Sequence, residues 1–167
     1  IGIYKGFSSI LMAKLIQLNE PESFTQVHGF DWFKGAGIDS VKQFVETGSY
    51  QADEKFILDL IQWQGLEDIL LVHNLDLTCE LGDFFSKAEH LMFKLVILDS
   101  GFYNVLKEAI PRFWERLTPG GIMVFDQYNH ELSPGETMVI RELLPKIKIE
   151  TINNSWMPTA YAVKPFA

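Results

Sequence analysis

The sequence predicts an α/β fold built on a mainly parallel sheet. Three observations carry that expectation. Short β-rich runs alternate with longer stretches of helical periodicity. No internal repeat, low-complexity tract or linker interrupts the alternation. The chain has 167 residues and 47% hydrophobic content, enough for a sizeable core in a single domain spanning 1–167.

The elements follow in order. Residues 1–3 read as the end of a strand. Residues 7–18 read as a helix, with Ile10, Leu11, Leu15 and Leu18 at helical spacing and Ser8 and Ser9 placed to satisfy its first amides. A second strand covers 26–30, and 31–40, with Gly35 and Gly37, reads as a loop. Residues 53–63 form a helix whose inner face would be Phe56, Leu60 and Trp63, stopped by Gly65. Strands follow at 69–73 and 94–99. The helix at 103–117 contains Pro111, which is expected to kink or divide it. Pro119-Gly120-Gly121 is a turn before a strand at 122–125. A helix at 136–144 stops at Pro145. Runs 147–153 and 156–163 read as an antiparallel pair turning at 153–155.

Composition narrows the partners. The net charge of −8 argues against nonspecific nucleic-acid binding and against docking on anionic membranes, and favours a small molecule. A single cysteine, Cys79, excludes an internal disulfide framework and reads as a small buried side chain. No apolar run is long enough to span a bilayer, and 10–18, with Lys14 and Gln17, does not read as a signal peptide. A cytoplasmic protein is expected. The chain opens at Ile1 in what reads as the middle of an element, so upstream residues are expected, the domain being N-terminally truncated.

In an open parallel sheet, ligands bind beyond the carboxyl ends of the strands. Asp31, Asp99 and Asp126 each end a strand, and Asp76 lies just past His73. Some of these acids could instead cap the helices that follow. The turn Gly2-Ile-Tyr4-Lys5-Gly6-Phe-Ser8-Ser9 lets backbone approach a ligand, though it lacks the G-x-G-x-x-G spacing of dinucleotide folds. Asp31 stands where a carboxylate can accept hydrogen bonds from ribose hydroxyls. Together these suggest a nucleoside-containing cofactor.

These segments resemble motif I and later motifs of class I S-adenosylmethionine-dependent methyltransferases, most closely the macrocin O-methyltransferase (TylF-like) sugar methyltransferases. The resemblance runs through Ile1–Lys14, then His28-Gly-Phe-Asp31-Trp-Phe-Lys-Gly35 and Leu98-Asp99-Ser-Gly-Phe-Tyr103. It ends with Leu117-Thr-Pro-Gly-Gly121 and Phe125-Asp126-Gln-Tyr128. It implies a Rossmann-like fold, a seven-stranded mostly parallel sheet with a C-terminal antiparallel hairpin strand. It implies S-adenosylmethionine held by Gly2, Tyr4, Lys5, Gly6, Ser8, Ser9, Asp31, Trp32, Phe33, Asn74, Asp76, Asp99 and Ser100. It further implies a small-molecule hydroxyl acceptor, on a sugar or similar polar metabolite, and a homo-oligomer whose subunits share a lid.

The departures from that family matter. Its second acid after the position of Asp99 is here Gly101, and its paired acids before the tyrosine are here Asp126 and Gln127. The resemblance still places Mg²⁺ at Asp99, Asp126 and Gln127, with the amide oxygen standing in for a carboxylate. Asp99 and His130 are the candidates to take the acceptor proton, His130 because an imidazole titrates near neutrality; an exposed loop histidine is the alternative. Tyr103 could face the acceptor or fix Asp99, Tyr128 could do the same for Asp126, and His28 and His90 have no identified partner. Phe84, Phe85, Phe113, Trp114 and Trp156 read as core. The rival functions are a methyltransferase-fold binding protein without turnover, a nicotinamide-dependent oxidoreductase, and a metal-dependent hydroxylase-like relative.

Overall fold

The computed structural model describes residues 1–41 and 45–166. They group into two compact units. The first comprises Gly2–Gly37 and Thr47–Leu75, and the second Ile1, Ile38–Glu46 and Asp76–Ala167.

The first unit holds α1 (Phe7–Asn19), β1 (Val27–Asp31), α2 (Glu54–Trp63) and β2 (Leu70–Asn74). The two strands pair in parallel, from Val27 opposite Leu70 to Asp31 opposite Asn74. Helix α1 starts on left-handed Gly6 (φ 85°), with no serine side chain capping it. Its buried face is Ser9 and Ala13, while Leu11, Leu15 and Leu18 stay substantially exposed. This face lies close against β1, where a Cβ on Gly29 would stand 3.6 Å from Ser9 Oγ. In α2 the inner residues are Ile57 and Ile61, and the expected Phe56 and Trp63 face solvent. Ile57 and Ile61 pack with Ile3, Ala13, Phe33, Leu66 and Leu70 in one apolar cluster.

The second unit holds α3 (Leu81–Lys87), β3 (Phe93–Leu98), α4 (Tyr103–Arg116), β4 (Leu117–Phe125), α5 (Pro134–Leu143), β5 (Ile149–Thr151) and β6 (Ala160–Val163). Its four strands are ordered β3-β4-β6-β5. β3 and β4 are parallel, and β6 runs antiparallel to both β4 and β5. Phe85, Phe93 and Phe113 form an aromatic centre, Phe85 meeting Phe113 edge-on at 5.0 Å.

Several expectations change. Among the described residues there are six strands in two sheets, rather than seven in one. Residues 1–3 make isolated ladder bonds instead of a strand: Ile1 donates to Ile97 and accepts from Asp99, and Gly2 donates to Phe30. The Pro119-Gly120-Gly121 turn is absorbed into β4, where Phe93 pairs with Leu117 and Leu95 already with Ile122. Left-handed Gly120 (φ 76°) allows this bulge, and its N–H is met by Lys164 O at 2.9 Å. α4 runs undivided through Pro111. α3 has no counterpart among the elements that periodicity predicts. The closing strands are shorter than 147–153 and 156–163, and Trp156 between them is 83% exposed, so it is not core. Cys79 is exposed, in the turn before α3. Asp39, from the loop ahead of α2, caps α4: its carboxylate accepts the N–H groups of Tyr103 (2.7 Å) and Asn104 (2.9 Å). Among the described residues no helix is long and apolar enough to cross a membrane.

Candidate functional site

The candidate residues fall into two clusters, one in each unit. In the first unit the turn from Gly2 to Gly6 is held in left-handed backbone at Gly2 (φ 78°), Tyr4 (φ 50°) and Gly6 (φ 85°). Asp31 closes β1 and fastens this turn. Its Oδ2 accepts the Tyr4 N–H at 2.9 Å, and its Oδ1 accepts the Phe33 N–H at 2.9 Å. Each ionised carboxylate oxygen offers about two acceptor sites, so this half-buried group retains capacity for hydroxyls. Tyr4 meets Tyr50 edge-on at 5.4 Å, and Lys5 lies over the Tyr4 ring. Tyr50 is a neighbour of the turn that sequence reasoning missed, since it lies 46 positions on in a loop with no motif.

Other cofactor candidates separate. Ser8 is exposed, whereas Ser9 is buried against the sheet. Phe33 is 5% exposed and belongs to the apolar cluster. Trp32 stays partly exposed, its indole N–H donating to Gly35 O. Asn74 donates to Glu54. His28 has a partner after all: its Nδ1 lies 2.9 Å from His73 Nε2, with the two rings stacked. Burial, and then the neighbouring His28, push His73 down to about 4.

The second cluster sits beyond β3 and β4. Leu98 pairs with Phe125, so Asp99 and Asp126 leave neighbouring parallel strands side by side. Burial pushes the Asp126 carboxyl up to about 7, reinforced by the Asp99 charge and a carboxyl–carboxyl hydrogen bond. Behind them lies Glu136, in the first turn of α5 and fully buried. Its Oε1 accepts the Gln127 N–H at 2.8 Å, and its Oε2 is buried without a partner. Burial pushes it up to about 8, the Gln127 N–H opposing and the Asp126 and Asp99 charges adding. Thr137 next to it accepts the Asn129 N–H at 2.7 Å, so α5 grips the 127–130 loop at two points. His130 Nδ1 and Ser100 Oγ are also buried without hydrogen-bond partners. Glu136 was missed because a first-turn glutamate ordinarily reads as a solvated favourable charge.

Gly101 and Gln127 are packed on each other. Gly101 is left-handed (φ 65°), and a Cβ there would overlap Gln127 Oε1. The tyrosines after the two acids differ in surroundings. Tyr103 donates to Glu142 at 2.7 Å, not to Asp99, and Tyr128 lines a shallow cavity with Ile140, Arg141 and Ile149. Asp76 serves as a cap, its Oδ1 accepting from the Thr78 N–H and hydroxyl. Among the described residues no three histidine, cysteine or acidic side chains assemble as metal ligands. Of the expected Mg²⁺ set, Asp99 and Asp126 leave neighbouring strands side by side and Gln127 lies close to Gly101.

Comparison with known proteins adds a family and a fold. A family described as a methyltransferase domain matches residues 1–128. The crystal structure of the calicheamicin methyltransferase CalS11 superposes with a TM-score of 0.86 at 17% identity, over 96% of this chain and 69% of that one. Its apo form, described as a TDP-rhamnose 3'-O-methyltransferase of calicheamicin biosynthesis, gives 0.73 at 21% identity, over 95% and 68%. The O-methyltransferase NovP gives 0.76 at 14% identity, over 99% and 70%. No curated protein matches. At these identities the likeness shows a shared fold.

Proposed function

The chain belongs to the methyltransferase domain family, and from that membership we propose that it moves the methyl group of S-adenosylmethionine to a hydroxyl of a sugar or similar polar metabolite. The observation that carries the cofactor half of this reading is the Asp31 carboxylate, which braces the left-handed Gly2–Gly6 turn and keeps acceptor capacity. Bound S-adenosylmethionine supplies a methyl on a sulfonium sulfur. Gly2, Tyr4, Lys5, Gly6 and Ser8 offer backbone and polar groups to its amino-acid part, and Asp31 takes its ribose hydroxyls. Trp32 and Asn74 are candidates for its adenine end.

Methyl transfer to oxygen is an in-line displacement in which the hydroxyl oxygen gains the methyl, the carbon–sulfur bond breaks, and the hydroxyl proton leaves. In this reading Asp99 takes that proton, as the exposed member of the carboxyl pair, and His130 is the second candidate. The sugar preference draws support from the named activity of CalS11 and from the TylF-like motifs. A cytoplasmic setting and a homo-oligomeric state belong to the same proposal.

The test is calorimetric titration of S-adenosylhomocysteine into the chain and into an Asp31→Ala variant whose fold is checked by circular dichroism. Micromolar binding by the parent, lost in a folded variant, supports the reading. No binding by the folded parent removes it. Binding without turnover over a panel of sugar hydroxyls favours instead a non-catalytic binding protein, the reading to which Gly101 and Gln127 point.

A further inference from the structure

We infer that the Asp99–Asp126 pair works without a divalent cation, because the neighbouring side-chain oxygens of Gln127 and Ser133 are packed close to Gly101 and the third acid, Glu136, is fully enclosed. The inference rests on the methyl-transfer reading for the pocket's role, and on geometry for the rest.

A cation held by two carboxylates needs further oxygens at defined corners, and Mg²⁺ tolerates little departure from an octahedron. The side-chain oxygens of Gln127 and Ser133 lie close to Gly101. Gln127 turns its amide oxygen onto Gly101, so closely that a Cβ at 101 would overlap it. Ser133 Oγ donates to Gly101 O at 3.2 Å, and it would stand 2.5 Å from the same Cβ. Glu136 is the third acid, but it is fully enclosed and one of its oxygens is committed to the Gln127 N–H. Gly135 is pressed in as well: a Cβ there would lie 2.9 Å from both Gly101 O and Tyr103 N.

The lock works in both directions. A side chain at 101 would displace the ends of Gln127 and Ser133, and the left-handed backbone there favours glycine in any case. Gln127 in turn is held by its backbone N–H on Glu136. An acid placed at 101 would have to move Gln127 and take up left-handed backbone. The neutral pair is a built feature of the pocket and not a single lost ligand.

Two measurements test this. Mn²⁺ alone is titrated into the chain and followed by its electron paramagnetic resonance signal. No binding tighter than millimolar is expected, and S-adenosylhomocysteine affinity should be the same with Mg²⁺ or with EDTA. Micromolar Mn²⁺ binding that an Asp126→Asn variant abolishes overturns the inference. The lock itself is read from unfolding midpoints of Gly101→Ala in the parent and in a Gln127→Ala background. A smaller loss in the second background supports it, and an equal loss overturns it. Failure to bind S-adenosylhomocysteine at all would remove the methyl-transfer reading while leaving the Mn²⁺ result to stand by itself.

Discussion

Asp31 holds Tyr4. The carboxylate at the end of β1 accepts the Tyr4 N–H at 2.9 Å and so fixes a turn that has left-handed backbone at three positions. Replacing Asp31 by alanine removes the acceptor for two backbone N–H groups at once. Hydrogen bonds to a charged group contribute roughly 1.5–3 kcal/mol each, less where water competes. Asp31→Ala should therefore lower stability by about 2 kcal/mol and S-adenosylhomocysteine affinity at least about tenfold. Asp31→Asn, which keeps one acceptor oxygen, should fall between. Denaturant midpoints and calorimetry on the same samples separate the two effects.

Glu136 ties stability to pH. Its folded pKa, about 8, is raised above its ordinary value of 4.5. The folded state thus binds a proton that the unfolded state releases. Its contribution to stability is fully present below about 4.5 and is lost as pH rises through about 8. Glu136→Gln keeps an acceptor for the Gln127 N–H and carries no charge. The variant should match the parent near pH 5 and exceed it above pH 8 by a few kcal/mol, at about 1.4 kcal/mol for each tenfold change in proton affinity. Melting curves across that range would show the two proteins diverge. Parallel curves would contradict the assignment.

The histidine pair acts in the opposite sense. His73 has a folded pKa of about 4, below its ordinary 6.5. The stability from keeping it neutral is present above 6.5 and is lost as pH falls through about 4. Proton NMR of the imidazole C–H signals should show His73 titrating near 4. In His28→Ala that midpoint should rise, since one neighbouring positive charge is gone and water reaches the ring.

Gly35 is the position in the first unit least able to accept a side chain. It is left-handed (φ 81°), and a Cβ would stand 2.5 Å from Ser49 O and 2.7 Å from Gly48 O. Both obstacles are backbone, so no rotamer relieves them. Gly35→Ala should cost at least about 2 kcal/mol and loosen the loop that receives the Trp32 indole. Chemical denaturation together with tryptophan fluorescence would report both.

Periodicity and strand-end chemistry make much of the molecule legible. Asp99 and Asp126 each close an apolar run, and parallel neighbours put such residues side by side, so their meeting can be foreseen from the sequence alone. Asp31 is legible for the same reason. What periodicity cannot show is which of two apolar faces turns inward. In α1 and α2 the bulky residues Leu11, Leu15, Phe56 and Trp63 would be the natural choice, yet Ala13, Ile57 and Ile61 are the ones buried. Register across strands is also silent in one dimension. His28 meets His73 because β1 and β2 align Phe30 with His73, a pairing over 45 residues. Glu136 is hidden for a third reason: burial of a charge is decided by its surroundings and leaves no mark on its own sequence.

The cap on α4 has a consequence for how the molecule comes together. Asp39 lies 64 residues ahead of Tyr103, whose N–H it accepts. Helix caps are usually local, formed as soon as the first turn winds. Here the chain must close a long interval first, and the entropy of that closure is lost before the two hydrogen bonds offset it. The N-terminal turn of α4 is therefore expected to order late, after the strands beside it have met. The short loop joining β3 to α4, which carries Asp99, Ser100 and Gly101, shares that timing, so its final shape waits on an aspartate from a distant part of the chain.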